Sequence, residues 1–532
     1  GTVFDRNGKI LATSSFSYRA AIDLNQYNSS GWGALCKILG LDPDICLSTY
    51  VSKQIHSVGP TSVIPIKDQL TWREIAGVEL LSSQIPGIMV IPRIIRIYPY
   101  GSDCCHCVGY VTRPSQNDVE NNANLKVLDA SIGKMGIERY FDARLQGEIG
   151  IKQVEVNAAR RMVRLIDEKR PAKGSDVSLT IDIELQKEVA RIMQDVRCGA
   201  ILVLNIRTGD ILASVSVPSF DPNTFSKAVT SKDWNELTNN ADLPLINRAV
   251  SGVYAPGSVF KPIVALAALN NGIILKQTRF CCPGYYEINR NRFHCHSWRF
   301  GGHGSMDVIR SLEKSCDVFF YNVAVKLGLT PIINTAKDFG FGARTNVELP
   351  EEKRGQIPST SMPLQKQYVG QTINLSIGQG QLTATPLQLA VMTARLASGK
   401  CITPHIVINA SSDESSQPTP AKLPYSNDAL EIVRAGMAAV VKSGPGMRAQ
   451  TNALSIAGKT GSTQVCRITK EERQHGRAIE RPYHLKDHAI FIAYAPVDDP
   501  RIAVVVVVEH GESGGRAAAP LGGKALAAAL PD

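Results

Sequence analysis

A chain of 532 residues is long enough for two or three domains. Its formal net charge of +10 suits an acidic polymer or an anionic lipid surface, and ordinary solubility explains it equally well. The basic residues do not gather into one stripe, which excludes a nucleic-acid partner. No run of about 18 apolar residues, the length that crosses a membrane, and no short-period repeat is present.

The first part of the chain carries no catalytic motif. Residues 1–172 mix strand-like and helical stretches, and the polar stretch Lys169–Gly174 is typical of a linker. We therefore predict a non-catalytic domain over residues 1–172 and a second domain over residues 173–532. The motifs with chemical meaning all fall in the second domain.

A serine and a lysine stand three positions apart in Tyr254-Ala-Pro-Gly-Ser-Val-Phe-Lys-Pro262. The apolar run Ile263–Leu269 predicts a helix that ends at Asn270-Asn271-Gly272. Ser258 then lies at the helix N-terminus, where free N–H groups favour developing negative charge, and Lys261 shares its face. A lysine with a depressed pKa can activate such a serine as a nucleophile. An isolated pair of this kind is usually a helix cap followed by a surface lysine.

A second motif, Ser315-Cys316-Asp317, separates two helical patterns, Met306–Glu313 and Val318–Leu327. A loop between helices is a rigid place from which a hydroxyl can project toward the first motif. We predict that Ser315 passes a proton toward the leaving amine and that Asp317 orients the substrate or the lysines. The alternative is that these residues only cap the second helix.

The third motif, Lys459-Thr460-Gly461-Ser462, lies in Leu454–Gln464, whose alternation predicts a strand with one buried face. Its glycines allow close approach of a ligand, and its hydroxyls suit a carboxylate. His488–Ala495 and Arg501–Glu509 predict two further strands of the same sheet. The three motifs together, in this order, indicate a serine acyl-transfer enzyme.

Four residues that could bind a metal accompany the second motif: Cys282, Cys295, His303 and Cys316. Three thiolates and one imidazole would form a closed, tetrahedral, structural zinc site, although their spacing is longer than that of a zinc finger. A Cys282–Cys295 disulfide and unpaired buried thiols remain alternatives. For the cluster Cys104-Cys105-His106-Cys107 we predict no metal, because adjacent cysteines rarely converge on one ion.

The chain resembles the class B penicillin-binding proteins of the elongation type, the penicillin-binding protein 2 group, over nearly its whole length. Besides the three motifs, the resemblance rests on Arg96–Gly101, Val108–Val111, Gly133–Glu138, Leu179–Gln186, Ser376–Gly380 and Thr385–Leu389. Asp317 stands where most members have asparagine, which resembles the elongation subgroup. The resemblance implies an α+β chain: a pedestal domain of the dimerisation type, then a transpeptidase domain whose antiparallel sheet is flanked by helices.

The activity that the resemblance implies is D,D-transpeptidation of peptidoglycan. Ser258 would attack the penultimate D-alanine of a stem peptide, with Lys261 as base and with Ser315 and Lys459 relaying the proton. Thr460 and Ser462 would hold the terminal carboxylate, and β-lactams would acylate Ser258. A β-lactam hydrolase or a D,D-carboxypeptidase uses the same acyl-enzyme, and a β-lactam sensor or an inactive scaffold would keep the same fold.

The resemblance also implies partners and a location. The partners would be peptidoglycan stem peptides, β-lactams, and a membrane glycosyltransferase with other elongation proteins that bind the pedestal. The segment from Gly1 resembles the one that follows the membrane anchor, so we expect an inner-membrane anchor before it and a periplasmic ectodomain. Acyl transfer needs no cofactor, but some members carry zinc through Asp, His and Cys. The pair His296-Ser297 looks like an insertion, so His294 or His296 could replace Cys295 as a ligand.

Overall fold

The computed structural model describes residues 1–27, 31–43, 63–121, 130–156, 162–226, 231–288, 291–359, 369–408, 420–466 and 481–530. Two compact units emerge. The first comprises Gly1–Phe4, Ile10–Val177 and Asp221–Glu236, and the second Asp5–Lys9, Ser178–Phe220 and Leu237–Asp532. The domain boundary after residue 172 stays a prediction. Across the described ranges, no helix has both the length and the apolar character to span a bilayer.

The first unit is built on a long strand, Ile10–Asp23, which pairs antiparallel with Ile88–Ile97 and with Val63–Lys67. One face of this sheet packs against the helix Trp32–Leu39, whose side chains Leu35 and Leu39 are fully buried. The other strands up to residue 178 are Val3–Phe4, Val111–Thr112, Ile132–Gly133, Ile151–Val156, Met162–Lys169 and Val177–Ser178. The other helices of this unit are Trp72–Ser82, Cys105–Val108, Gln116–Asn121, Gly136–Tyr140, Asp142–Gln146, Asn223–Ser226 and Ser231–Thr238.

The second unit is built on a five-stranded antiparallel sheet. Its strands in chain order are β1 (Gly199–Asn205), β2 (Ile211–Val217), β3 (Ala457–Thr463), β4 (His488–Ala495) and β5 (Ile502–Val508). In space they follow the order β2-β1-β5-β4-β3, so β3 with the Lys-Thr-Gly motif lies at an edge. Every residue of β5 is buried, because helices cover both faces of the sheet.

Two helices of this unit carry catalytic motifs: α1 (Lys261–Asn270) and α2 (Asp317–Leu327). The remaining α-helices are Ile183–Ile192, Arg248–Ser251, Val308–Glu313, Leu329–Asp338, Val369–Ser376, Pro386–Ser398, Asn427–Ser443 and Ala519–Ala529. Two short hairpin-like pairs precede α2: Phe280–Cys282 with Gly304–Met306, and Tyr285–Ile288 with Asn291–His294.

The predicted α+β class and the antiparallel sheet flanked by helices are confirmed. The predicted alternation in the third motif is wrong, because β3 is buried at every position except Ser462. Helix Asn427–Ser443 packs against β3, and the turn around Ser258 approaches it closely. β3 is therefore an edge strand that is covered along most of its length.

Candidate active site

Ser258 lies in a single 3₁₀ turn, Gly257–Phe260, that leads directly into α1. The α-helix therefore begins three residues later than a helix starting at the serine. Pro262 explains the shift, because it has no N–H to bond back to the carbonyl of Ser258, whereas the N–H of Lys261 does so in the shorter 3₁₀ register. Ser258 is partly exposed, while its neighbours Val259 and Phe260 are fully buried. The turn thus presents the serine to solvent from a rigid base.

The turn is held against β3 by glycines. Gly257 has a φ of +59° and donates its N–H to the carbonyl of Gly378 at 2.9 Å. A Cβ at Gly461 would lie 3.0 Å from the Pro256 carbonyl oxygen, so only glycine allows β3 to approach this closely. The first and third motifs therefore meet through backbone contact.

Lys261 is fully buried, and three acceptors take up its ammonium group. These are the Ser315 carbonyl at 2.8 Å, the Ser315 hydroxyl at 3.1 Å and an Asp317 carboxylate oxygen at 2.6 Å. None of these partners is Ser258, so the shared helix face that we predicted does not produce a direct hydrogen bond here. The lysine instead joins the first motif to the second.

Ser315 bridges the two lysines. Its hydroxyl oxygen accepts from Lys261 and from the Lys459 amine, the latter at 2.9 Å. The residue is nearly buried and has a φ of +53°, a left-handed conformation that a non-glycine residue rarely adopts. Such strain is concentrated at functional sites, and here it turns the hydroxyl between both amines.

Lys459 is also fully buried, and it donates to the Thr460 carbonyl at 3.0 Å. Burial lowers the pKa of the Lys459 amine well below its ordinary value, and the Lys261 cation lowers it further, against the opposing effect of Asp317. Two cations in one dry site repel each other. Lys459 therefore loses its proton more readily than an exposed lysine does.

Asp317 is the first residue of α2, where the helix N-terminus favours a negative charge. One carboxylate oxygen binds Lys261, and the other accepts the backbone N–H of His296 at 3.1 Å. Burial alone would raise the pKa of this carboxyl, but the charge of Lys261 and a side-chain hydrogen bond from the His296 imidazole keep it below its ordinary value. Asp317 thus remains an anion that neutralises Lys261.

The third part of the site is the edge strand β3. In the described part of the chain, β3 pairs with β4 on one side and with no strand on the other. Thr460 and Ser462 are two positions apart and share one face, with Ser462 exposed and Thr460 buried. An extended peptide can add to such an edge, while hydroxyls near it bind a carboxylate.

The four predicted metal ligands converge beside α2. The donor atoms of Cys282, Cys295, His303 and Cys316 all lie within 4.8 Å of one another. His303 Nδ1 is 3.7 Å from Cys282 Sγ and 3.5 Å from Cys295 Sγ. A tetrahedral zinc ion with ordinary bond lengths separates sulfur from nitrogen by roughly 3.6 Å, so the spacing fits.

The chemistry of the cluster fits as well. Hydrogen bonds from Cys282 and Cys316 lower the pKa of the Cys295 thiol, which favours the thiolate form that binds metals. Cys282 and Cys295 are free thiols, so the disulfide alternative is not realised. His296 belongs instead to a second group with Cys295 and Asp317. In the described residues, neither group of this kind includes Cys104, Cys105, His106 or Cys107.

One buried ion pair near Ser258 escaped the sequence analysis. The carboxylate of Glu509, just after β5, accepts from Tyr254 at 2.6 Å and from Arg248 at 3.0 Å. Tyr254 lies four residues before Ser258, and its backbone pairs with Ala384. These bonds fasten the segment before Ser258 to the end of the sheet. No local pattern connects residues more than 250 positions apart, so the sequence offered no signal for them.

A partly exposed serine beside two buried lysines that share a second serine defines a serine acyl-transferase site. The family models agree with this class. The "Penicillin binding protein transpeptidase domain" matches residues 199–527, and the "Penicillin-binding Protein dimerisation domain" matches residues 1–179. The chain belongs to the penicillin-binding proteins.

The chain is also similar to individual relatives and solved structures of this family. Peptidoglycan D,D-transpeptidase MrdA of Escherichia coli strain K12 is 34% identical over 534 residues, which cover 97% of this chain and 84% of the relative. The penicillin-binding protein PBP2 of Helicobacter pylori in complex with MreC has a TM-score of 0.84 at 28% identity, covering 99% of this chain and 96% of that one. PBP2 of Pseudomonas aeruginosa in complex with WCK 5153 has a TM-score of 0.71 at 30% identity, covering 100% and 96%.

Proposed function

We infer that this chain is a peptidoglycan D,D-transpeptidase that cross-links stem peptides during cell-wall elongation and that β-lactams acylate. The observation that carries this function is the meeting of Lys261 and Lys459 on the Ser315 hydroxyl, together with the partly exposed Ser258 in the turn that leads to Lys261. The similarity to D,D-transpeptidases named MrdA over nearly the whole chain supports the same activity.

Acylation begins with proton transfer through a relay formed by Lys459, Ser315 and Lys261. Lys459, whose pKa is lowered, is the favoured neutral amine, and it can take a proton from Lys261 through the Ser315 hydroxyl. Neutral Lys261 can then accept the proton of Ser258 as its oxygen attacks the penultimate D-alanine carbonyl. The new ester bond forms, the peptide C–N bond breaks, and the proton returns through Ser315 to the departing D-alanine amine.

Strand β3 would bind the substrate. The stem peptide would lie extended along the free edge, with its terminal carboxylate at Thr460 and Ser462 and with Gly461 allowing its backbone to come close. In the second half-reaction, an amine from a neighbouring stem peptide attacks the ester, gives its proton to the same relay and releases Ser258. The relay thus serves both steps in opposite directions.

Acyl transfer itself requires no cofactor. We propose a structural zinc ion held by Cys282, Cys295, His303 and Cys316, which would tie the 282–303 segment to the loop that carries Ser315. The donor distances and the thiolate character of Cys295 support this proposal. Metal analysis of purified protein, followed by chelation and thermal unfolding, tests it: about one zinc per chain, lost together with stability, is expected.

For partners and location we propose an elongation complex at the inner membrane. The first unit would bind a membrane glycosyltransferase and other elongation proteins, as PBP2 of Helicobacter pylori is found in complex with MreC. An N-terminal anchor would hold the chain in the membrane with its catalytic unit in the periplasm. Copurification of the tagged full-length protein with crosslinked membrane partners tests this arrangement.

Incubation with a pentapeptide that ends in D-Ala-D-Ala and with an acceptor amine tests the activity. We expect release of D-alanine and formation of the amide product, both lost in Ser258→Ala. D-alanine release without amide product would instead show a carboxypeptidase, and rapid turnover of penicillin would show a β-lactam hydrolase. Absence of every reaction would favour a sensor or a scaffold.

A further inference from the structure

A cavity of about 650 Å³ in the second unit is surrounded by cations. Its lining includes Val253, Arg344, Lys353, Arg354, Gln356 and Thr383. Among the residues that the structure describes, no acidic residue lines it. Because Arg344, Lys353 and Arg354 are all exposed, their charged ends can turn toward a ligand in the cavity. We call this cavity, defined by the six residues, the basic pocket.

The three cations have no acidic partner within the described part of the chain, whereas ion pairs are frequent elsewhere on the same unit. Glu352, the nearest acid in sequence, is buried and accepts from the backbone N–H groups of Thr345 and Asn346. Its carboxylate is therefore already hydrogen-bonded within its own turn. An unpaired group of three like charges around one cavity attracts an anion.

The backbone of the basic pocket is fixed from both sides. Lys353 donates its N–H to the Val250 carbonyl at 3.0 Å, and Gln356 and Thr383 exchange two hydrogen bonds. The Arg354 carbonyl accepts from the buried side chain of Gln388 at 2.8 Å. The backbone of the pocket is thus held by hydrogen bonds to neighbouring segments of the fold.

One residue of the basic pocket lies near Ser258 in the sequence. Val253, which lines it, precedes Ser258 by five residues. Because an extended chain advances about 3.5 Å per residue, the two Cα atoms are at most about 18 Å apart. An extended stem peptide of about five residues covers the same distance. A stem peptide bound at Ser258 is therefore long enough to span this separation.

We propose that the basic pocket binds carboxylates of the peptidoglycan substrate other than the terminal carboxylate held at β3. This inference rests on the proposed transpeptidase function and gives the substrate class as an acidic peptide. The pocket favours stem peptides with free carboxylates over stem peptides in which these carboxylates are amidated. The acidic stem peptide is either the donor, which acylates Ser258, or the acceptor, which attacks the ester.

The test compares two triple variants of the same chain. The pocket variant carries Arg344→Gln, Lys353→Gln and Arg354→Gln. The control variant carries Lys187→Gln, Arg191→Gln and Lys232→Gln, which remove the same number of positive charges from exposed positions outside the pocket. Each is assayed with a pentapeptide donor bearing a free internal carboxylate, with its amide analogue, and with acidic and amidated acceptor peptides. Penicillin acylation checks that both variants fold.

We expect the kcat/KM of the pocket variant for the acidic peptide to fall about tenfold (about 1.4 kcal/mol). Its kcat/KM for the amidated peptide should equal that of the wild type. A slower release of D-alanine shows that the pocket binds the donor peptide. A slower formation of the cross-linked product, with unchanged release of D-alanine, shows that it binds the acceptor peptide. Added salt should shrink the preference of the wild type.

The proposal is overturned if the pocket variant matches the control variant with acidic peptides, or if it loses acidic and amidated peptides equally. A wild type that releases no D-alanine would overturn the proposed function, and this inference with it. A wild type that is active on both peptides without preference overturns only the inference.

Discussion

Replacing Lys459 by methionine tests the electrostatics of the two buried lysines. Methionine has nearly the length of the lysine stem and no charge, so it fills the site without leaving a large cavity. In the wild type, burial and the nearby Lys261 cation hold the pKa of Lys459 well below its ordinary value. The variant therefore removes a proton acceptor and a buried group whose charge is unfavourable.

The free energy of unfolding of the wild type, relative to Lys459→Met, should rise with pH. Between the lowered folded pKa and the unfolded value near 10.5, the unfolded chain binds one more proton than the folded chain. The difference rises by about 1.4 kcal/mol per pH unit in that window and is constant outside it. Urea denaturation at several pH values from neutral to about 10 measures this slope, because that range ends at the unfolded pKa.

The same variant should acylate about 10²- to 10⁴-fold more slowly with penicillin, because a positioned proton acceptor contributes that much. The matched control is Lys442→Met, at an exposed position of helix Asn427–Ser443, which should change neither quantity. A free-energy difference that is flat or falls with pH would refute the lowered pKa. Acylation of Lys459→Met at the wild-type rate would refute the relay.

Substitutions at three further positions have defined outcomes. Ser315→Ala and Ser315→Gly should both slow penicillin acylation at least about 10²-fold, because each removes the bridge between the lysines; the glycine variant should be the more stable, since glycine adopts the φ of +53° without strain. Equal activity of the glycine variant and the wild type would remove Ser315 from the chemistry. Cys295→Ser should lose bound zinc and melt at a lower temperature. The control Cys281→Ser, at the exposed position next to Cys282, should do neither. Equal zinc in both variants would contradict the proposed site. Tyr254→Phe should lower the free energy of unfolding by about 1–3 kcal/mol and slow acylation, because Glu509 loses a buried hydrogen bond; an unchanged acylation rate would show that this contact does not position Ser258.

Local patterns in the sequence account for most of the catalytic unit. The predicted strand His488–Ala495 is β4 to the residue, and Arg501–Glu509 contains β5 with one residue extra at each end. Long apolar runs between turn residues are the clearest signals that a chain offers. The helix predicted after Ser258 ends where expected, at Asn270, because Asn271 and Gly272 follow it.

Contacts across long sequence distances were beyond the same reasoning. The spacing of Ser258 and Lys261 suggested that they bond to each other, but Lys261 turns toward Ser315 and Asp317, whose charge and carbonyl satisfy a buried ammonium better than one hydroxyl. The left-handed backbone of Ser315 depends on the helices on both sides of it. The bond between Tyr254 and Glu509 depends on the order of strands in the sheet, which no local pattern encodes.

The most direct test of the central claim is the intact mass of this chain after incubation with a simple penicillin, measured beside Ser258→Ala. If Ser258 is the nucleophile of a D,D-transpeptidase, the wild type gains one drug mass that persists, and the variant gains none. An adduct of the same mass in Ser258→Ala, or no adduct in the wild type while it is folded, would contradict the account.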